Sequence, residues 1–226
     1  MNTYILAAGT NWDRLAEPFR EAIVDTLIMV SMTLIIGGLG GLILGMLLYT
    51  TRAGGIQNKI IFGILNVLVN FVRPIPFIIL LVTLGPFTRA LVGSQIGRDA
   101  AIVGMSVAAT FGVARIVEQN LVSIDPGVIE AARAMGASPW QIITGVIVRE
   151  ALGPLVLGYT FCFISIVDMS AMAGYIGGGG LGDFAITKGY RAFNLEVTYV
   201  TTFMIIIIVQ IAQLLGNWLS RKIMRR

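Results

Sequence analysis

Two long stretches without a single charged residue constrain this chain more than any other feature. Thr26 to Thr51 holds 26 uncharged residues and Val197 to Ser220 holds 24. Each exceeds the roughly 20 residues a helix needs to cross a bilayer. Three shorter runs accompany them: Ile60 to Phe87, interrupted by Arg73; Ala100 to Ala114, stopped by Arg115; and Ala151 to Val167, stopped by Asp168. Five membrane-spanning helices are therefore predicted. Composition agrees, with 56% hydrophobic and only 12% charged residues and a mean hydropathy of +0.86. A soluble domain has about 25% charged residues, and one core could not hide this much apolar surface.

Five spans put the termini on opposite sides, and the excess of cations on cytoplasmic loops selects the orientation. With the C-terminus inside, the inner side carries Arg52, Lys59, Arg115, Arg133, Arg149, Arg221, Lys222, Arg225 and Arg226 against Glu118, Asp125, Glu130 and Glu150, a net charge of +5. The outer side is then net −1. The basic end reads first as a topology anchor and only weakly as an anionic-lipid site, and the distribution of the net charge of +4 fits membrane orientation better than nucleic acid. The chain contains no histidine and one cysteine, Cys162, which excludes imidazole catalysis, histidine-bound zinc and an internal disulfide. Leu15, Phe19, Ala22 and Ile23 recur at helical spacing among charged residues, so residues 1–21 are expected to form an external amphipathic segment. One membrane domain over residues 22–213 follows, and residues 214–226 complete the last helix and a basic tail.

The segment Ile124 to Glu150 carries two sets of helix punctuation. Asp125 suits an N-cap with Pro126 at the first helical position, and Gly136 suits the left-handed residue that ends a helix. Ser138 and Pro139 repeat the start signal. The loop, residues 124–145, is thus predicted to hold a short helix, a sharp turn at Gly136 and a second helix running into the fourth span. Ala131, Ala132 and Ala134 permit close approach, either by the chain's own membrane domain or by a groove on another protein.

Glu130-Ala131-Ala132, three residues, Gly136, nine residues and Val146-Ile147-Val148 resemble the EAA motif of permease subunits of bacterial ABC importers, with Arg149 where that motif has proline. Arg73 to Leu81, Ser170 to Gly174, Gly177 to Asp183 and Gly189-Tyr190-Arg191 are similar to segments of the methionine importer permeases. The resemblance implies an all-α membrane protein with type I ABC importer permease architecture, multi-pass in the bacterial inner membrane, its loop helix being a coupling helix. Glu130, Ala131, Ala132, Gly136 and Ser138 would then contact the ATPase. It further implies a homodimer, two ATP-binding-cassette ATPase subunits that hold ATP and Mg²⁺, an external methionine-binding lipoprotein, and methionine as the solute. This chain would itself catalyse no covalent chemistry and bind no cofactor or metal. A permease for another small solute and a stand-alone secondary carrier remain the alternative readings.

Other motifs leave choices open. Gly177 to Gly180 lacks the Gly-Lys-Ser/Thr ending of a phosphate loop, and is either a turn with close helix packing or an outer rim that moves. Met169 and Met172 are either adaptable packing or, with Met172 doubled at a dimer axis, a constriction of the pathway, with Ser170 as a small polar neighbour. Arg73 and Asp168, at depths of roughly 20 and 26 Å along their spans, either pair, reach the outer interface separately, or find partners in a second subunit.

Overall fold

The computed structural model describes residues 10–52 and 58–224, and the described residues form helices joined by short turns. Helix α1 runs unbroken over Trp12–Thr51, its N-terminus capped by the Asn11 side chain, which accepts from the Arg14 amide at 3.3 Å. Forty residues make about 60 Å of helix, twice the hydrocarbon thickness, so α1 extends beyond it. The described part of the expected external segment is simply the first turns of α1. Its apolar face, Trp12, Leu15, Phe19 and Ile23, packs on Leu181, Phe184 and Val197 rather than lying along a membrane surface. Residues 1–9 and the terminal pair Arg225 and Arg226 lie outside the described residues.

The second predicted span is broken. Helix α2 (Lys59–Val72) ends at Arg73-Pro74-Ile75-Pro76, where two prolines remove backbone donors and disfavour helical geometry before them. Helix α3 (Phe77–Thr83) leaves at 105° to α2, and α4 (Gly85–Val92) follows through Gly85-Pro86. Among the described residues four stretches are long and apolar enough to cross a bilayer: α1, α5 (Arg98–Val122), the segment Pro139–Gly178, which kinks at Ile176 and Gly177, and α10 (Leu195–Met224). The bent α2–α3 pair makes a fifth if it is counted as one span.

Helices α1 and α5 are packed along a seam of small residues. A Cβ placed on Gly37 would lie 2.7 Å from the Ala109 Cβ, one on Gly41 2.5 Å from the Val113 Cβ, and one on Gly45 2.6 Å from the Ala114 carbonyl oxygen. Glycine at every fourth position lets the two backbones meet closely, the way membrane helices gain contact where lipid gives no hydrophobic drive. Met29, Met105 and Ile166 centre one core cluster, while Val117, Leu121, Ile142 and Ile147 centre another at the opposite end. Helix α10 lies at the edge, packing Ile205 and Val209 against the first cluster. Among its described residues only Val197, Thr201 and Ser220 are buried.

Candidate functional site

Local sequence dictates the geometry of the 124–150 loop. Helix α6 (Pro126–Ala134) begins with the Asp125 carboxylate accepting from the Gly127 amide at 2.8 Å, and Gly136 closes it at φ +79°. There the Gly136 amide bonds the Arg133 carbonyl at 2.9 Å and the Ala137 amide reaches back to Ala132 at 3.1 Å, satisfying carbonyls at the helix end. Ser138 then caps α7 (Pro139–Gln141) with a reciprocal box: its hydroxyl accepts from the Gln141 amide at 3.4 Å, and its amide donates to the Gln141 side chain at 2.8 Å. A π-helical turn over Ile142–Ile147 leads directly into α8 (Val148–Ala173). With Arg149 in place of proline, the helix enters the span without a break.

This loop presents an apex and anchors a base. Glu130, Ala131, Gly136 and Ser138 are exposed, and beside them Met135 and Trp140 are 81% and 71% exposed. Ala132 does not belong to that surface. Its side chain is buried against the chain's own Leu121, Ile142 and Ile147, because α6 must seat one face on the bundle. Beneath α6 lies a cavity of about 640 Å³, lined by Tyr49, Val122, Ile129, Glu130, Arg133 and Ile143 among others.

Along α8 and just past its end, Leu157, Phe161, Asp168, Met172 and Tyr175 are exposed at intervals of four, seven, four and three residues, which puts them in a stripe on one side of the helix. Met172 lies on it, 38% exposed, while Met169 is partly buried against the core cluster of Met29 and Ile166. Ser170 is turned inward. It is 3% exposed and its hydroxyl donates to the Val167 carbonyl at 2.7 Å, so it contacts no pathway on this stripe. Arg191 covers the Tyr175 ring at 5.6 Å from its centroid.

Arg73 and Asp168 do not pair: neither takes part in an ion pair among the described residues. The depths inferred from residue counts assumed straight helices, whereas the break after Val72 leaves Arg73 on a cavity shared with Arg52, Arg115 and Glu118. Asp168 stays on the exposed stripe of α8.

Gly177 to Gly180 is a packed crossing rather than a loose rim. Gly177, Gly179 and Gly180 all have positive φ, and a Cβ on Gly180 would lie 2.7 Å from both the Met29 methyl and the Thr26 hydroxyl. That buried hydroxyl accepts from the Leu181 amide at 2.8 Å, fixing the start of α9 (Gly180–Phe184) against α1. A Cβ on Gly182 would lie 2.5 Å from the Ala171 backbone.

Sequence reasoning missed an intramembrane polar network. Arg115, assigned as a loop cation, is 17% exposed and donates to Glu118 at 2.6 Å, to Asn66 at 3.1 Å and to Asn70. The signals were present as Arg115 and Glu118 at i, i+3 on α5 and Asn66 and Asn70 at i, i+4 on α2. It also missed Met135 and Trp140, although a tryptophan directly after the Ser138-Pro139 start signal sits where the first turn of α7 faces outward.

The chain is similar to known transporters over most of its length. It is 40% identical over 203 residues, 89% of this chain and 90% of the relative, to the probable D-methionine transport system permease protein MetI of Vibrio cholerae serotype O1. It is 40% identical over 181 residues to the methionine import system permease protein MetP of Bacillus subtilis (strain 168), covering 80% of this chain and 82% of that one. A native crystal form of the inward-facing MetNI methionine ABC transporter superposes with a TM-score of 0.90 at 40% identity, over 93% of this chain and 98% of that chain. An amino acid ABC transporter solved with histidines shares the fold, with a TM-score of 0.81 at 19% identity over 96% and 100% of the two chains. Residues 37–226 match the family described as the binding-protein-dependent transport system inner membrane component, and with four to five candidate spans and a capped loop helix in place, the chain belongs to that family.

Proposed function

We propose that this chain is the permease of an ATP-driven importer of methionine, including the D-enantiomer named for its relatives. The observation that carries the reading is the 40% identity over 89% of the chain to a permease of that name. Two copies form the pathway, two ATPase subunits dock at the loop end, and an external binding lipoprotein delivers the solute. ATP and Mg²⁺ are held by the ATPase subunits, and this chain performs no covalent chemistry. The N-terminus is outside and the C-terminus cytoplasmic, as the loop charges favour.

The geometry suggests how force passes through the chain. Glu130, Ala131, Gly136 and Ser138, with Met135 and Trp140, form the surface that enters the ATPase groove. Large exposed side chains on a rigid turn suit such an anchor, since tryptophan is enriched among residues that dominate binding energy. When the ATPases close on ATP, α6 is displaced, and Ala132 presses that displacement onto Ile142 and Ile147. These residues lie at the base of the helical segment that runs through α8 to Met172, ahead of the kink at Ile176 and Gly177. Met172 from each copy meets across the dimer axis and closes the pathway, with Met169 packed behind it. The decisive experiment is purification in mild detergent followed by uptake in proteoliposomes. Co-purification of an ATPase and methionine uptake abolished by vanadate are expected. Uptake by this chain alone would establish a secondary carrier instead.

A further inference from the structure

The cavity between the C-terminal ends of α1 and α5 and the side of α2 is about 470 Å³, and its polar lining is Arg52, Asn70, Arg73, Arg115, Glu118 and Gln119. The charges there do not balance. Arg115 and Glu118 neutralise each other in an ion pair of 2.6 Å, and the remaining guanidinium donors of Arg115 are spent on Asn66 and Asn70. Arg52 and Arg73 have no carboxylate within ion-pair distance among the described residues, and residues 53–57, Ala-Gly-Gly-Ile-Gln, carry no acid. Two positive charges therefore face one cavity. The negative ends of α1 and α5, each equivalent to roughly half a charge, offset only part of that.

Depth decides what fills the space. Arg52 is the C-cap of α1 and Ser123 the C-cap of α5, so the mouth lies where the helices end. Arg115, seven residues before Val122, is about 10 Å further in. That mouth opens on the loop side, which is cytoplasmic in the orientation proposed above, and Arg73, the C-cap of the 14-residue α2, lines the cavity from the far end of that helix. Two guanidinium forks match the non-bridging oxygens of a phosphodiester, and the volume exceeds what one carboxylate needs.

We propose that this cavity is an oxyanion site occupied by the phosphodiester headgroup of an anionic phospholipid, held by Arg52 and Arg73. Lipid there bridges α1 to α2 beside the loop that carries α6.

The test is lipid retention by the purified membrane complex, solubilised in mild detergent with phosphatidylcholine and phosphatidylglycerol in equal parts and read by native mass spectrometry. The wild type is expected to retain phosphatidylglycerol preferentially. The double variant R52Q/R73Q should lose retention by about fivefold for each cation removed. R52K/R73K should keep most of it, and R221Q, on the exposed end of α10, should match the wild type. Should R52Q/R73Q not assemble by gel filtration, the two single variants carry the comparison. Equal retention by wild type and R52Q/R73Q overturns the site. Thermal stabilisation of the wild type but not R52Q/R73Q by inorganic phosphate or by methionine, with no phosphatidylglycerol retained, overturns the lipid assignment in favour of a soluble oxyanion. Methionine uptake does not enter the measurement, so failure of the importer reading leaves its outcome intact.

Discussion

The two ends of α8 are held in opposite ways. At the end away from the loop, Gly174, Gly178, Gly180, Leu181, Gly182 and Phe184 are buried, and the glycine backbones leave no room for a side chain. At the loop end, α6 seats a single fully buried residue, Ala132, above a cavity of about 640 Å³, and a Cβ on Gly136 would meet nothing within 4 Å. One end is fixed by backbone contact and the other rests on a few apolar side chains. The glycine-rich segment is thus the closely packed end of α8, and the loop end the loosely seated one.

Substitutions at the two ends should separate by size. The largest effect is expected from Gly182→Ala, because its Cβ would lie 2.5 Å from the Ala171 backbone, and overpacking of that kind costs about 1–3 kcal/mol or more. Loss of folded protein in a detergent thermal-stability assay is the expected result, and a wild-type melting curve would show that this end yields after all. Next comes Trp140→Ala. It should weaken ATPase binding by about 2 kcal/mol, a thirtyfold loss in a pull-down titration, without lowering the melting temperature of the isolated permease. If stability falls as much as binding, Trp140 belongs to the fold and not to the apex. Gly136→Ala tests the turn alone. With open space around it but φ at +79°, the cost should be only about 1 kcal/mol, from backbone strain. Gly136→Leu should behave like Gly136→Ala in the isolated chain and differ from it only when the ATPase is present, so equal behaviour in both assays would remove Gly136 from the docking surface.

The smallest expected effect is a coupling energy near zero between Arg73→Met and Asp168→Leu. The two residues form no ion pair and face different surfaces, so their losses in assembled complex should add to within about 0.5 kcal/mol. A coupling of several times that value would mean that a second copy brings one subunit's arginine to the other's aspartate.

How much of this was legible in the sequence depended on how far apart the deciding atoms are along the chain. Asp125 with Pro126, Gly136, and Ser138 with Pro139 and Gln141 act within three or four residues, and each predicted cap or turn is present. The spans were equally readable, since charge-free length is a property of one segment. The 105° turn between α2 and α3 was not, because prolines announce a break without giving its angle. Ser170 and Ala132 failed for a related reason: a small side chain suits a buried face and an exposed one alike, and only the packing of α8 and α6 on the bundle says which. The Arg115 network joins α5 to α2 across 45 to 49 residues, and no local pattern reports that meeting.

The glycine seam between α1 and α5 also imposes an order on biosynthesis. Helix α1 leaves the ribosome first, and Gly37, Gly41 and Gly45 then form a shallow furrow open to lipid. Its mate begins only at Arg98, after α2, α3 and α4 have been made. Until α5 is inserted, acyl chains must line that furrow, and closing the seam expels them. The insertion machinery therefore has to keep α1 laterally accessible while three further helices are threaded, and any of those that settled against α1 too early would occupy the place reserved for α5.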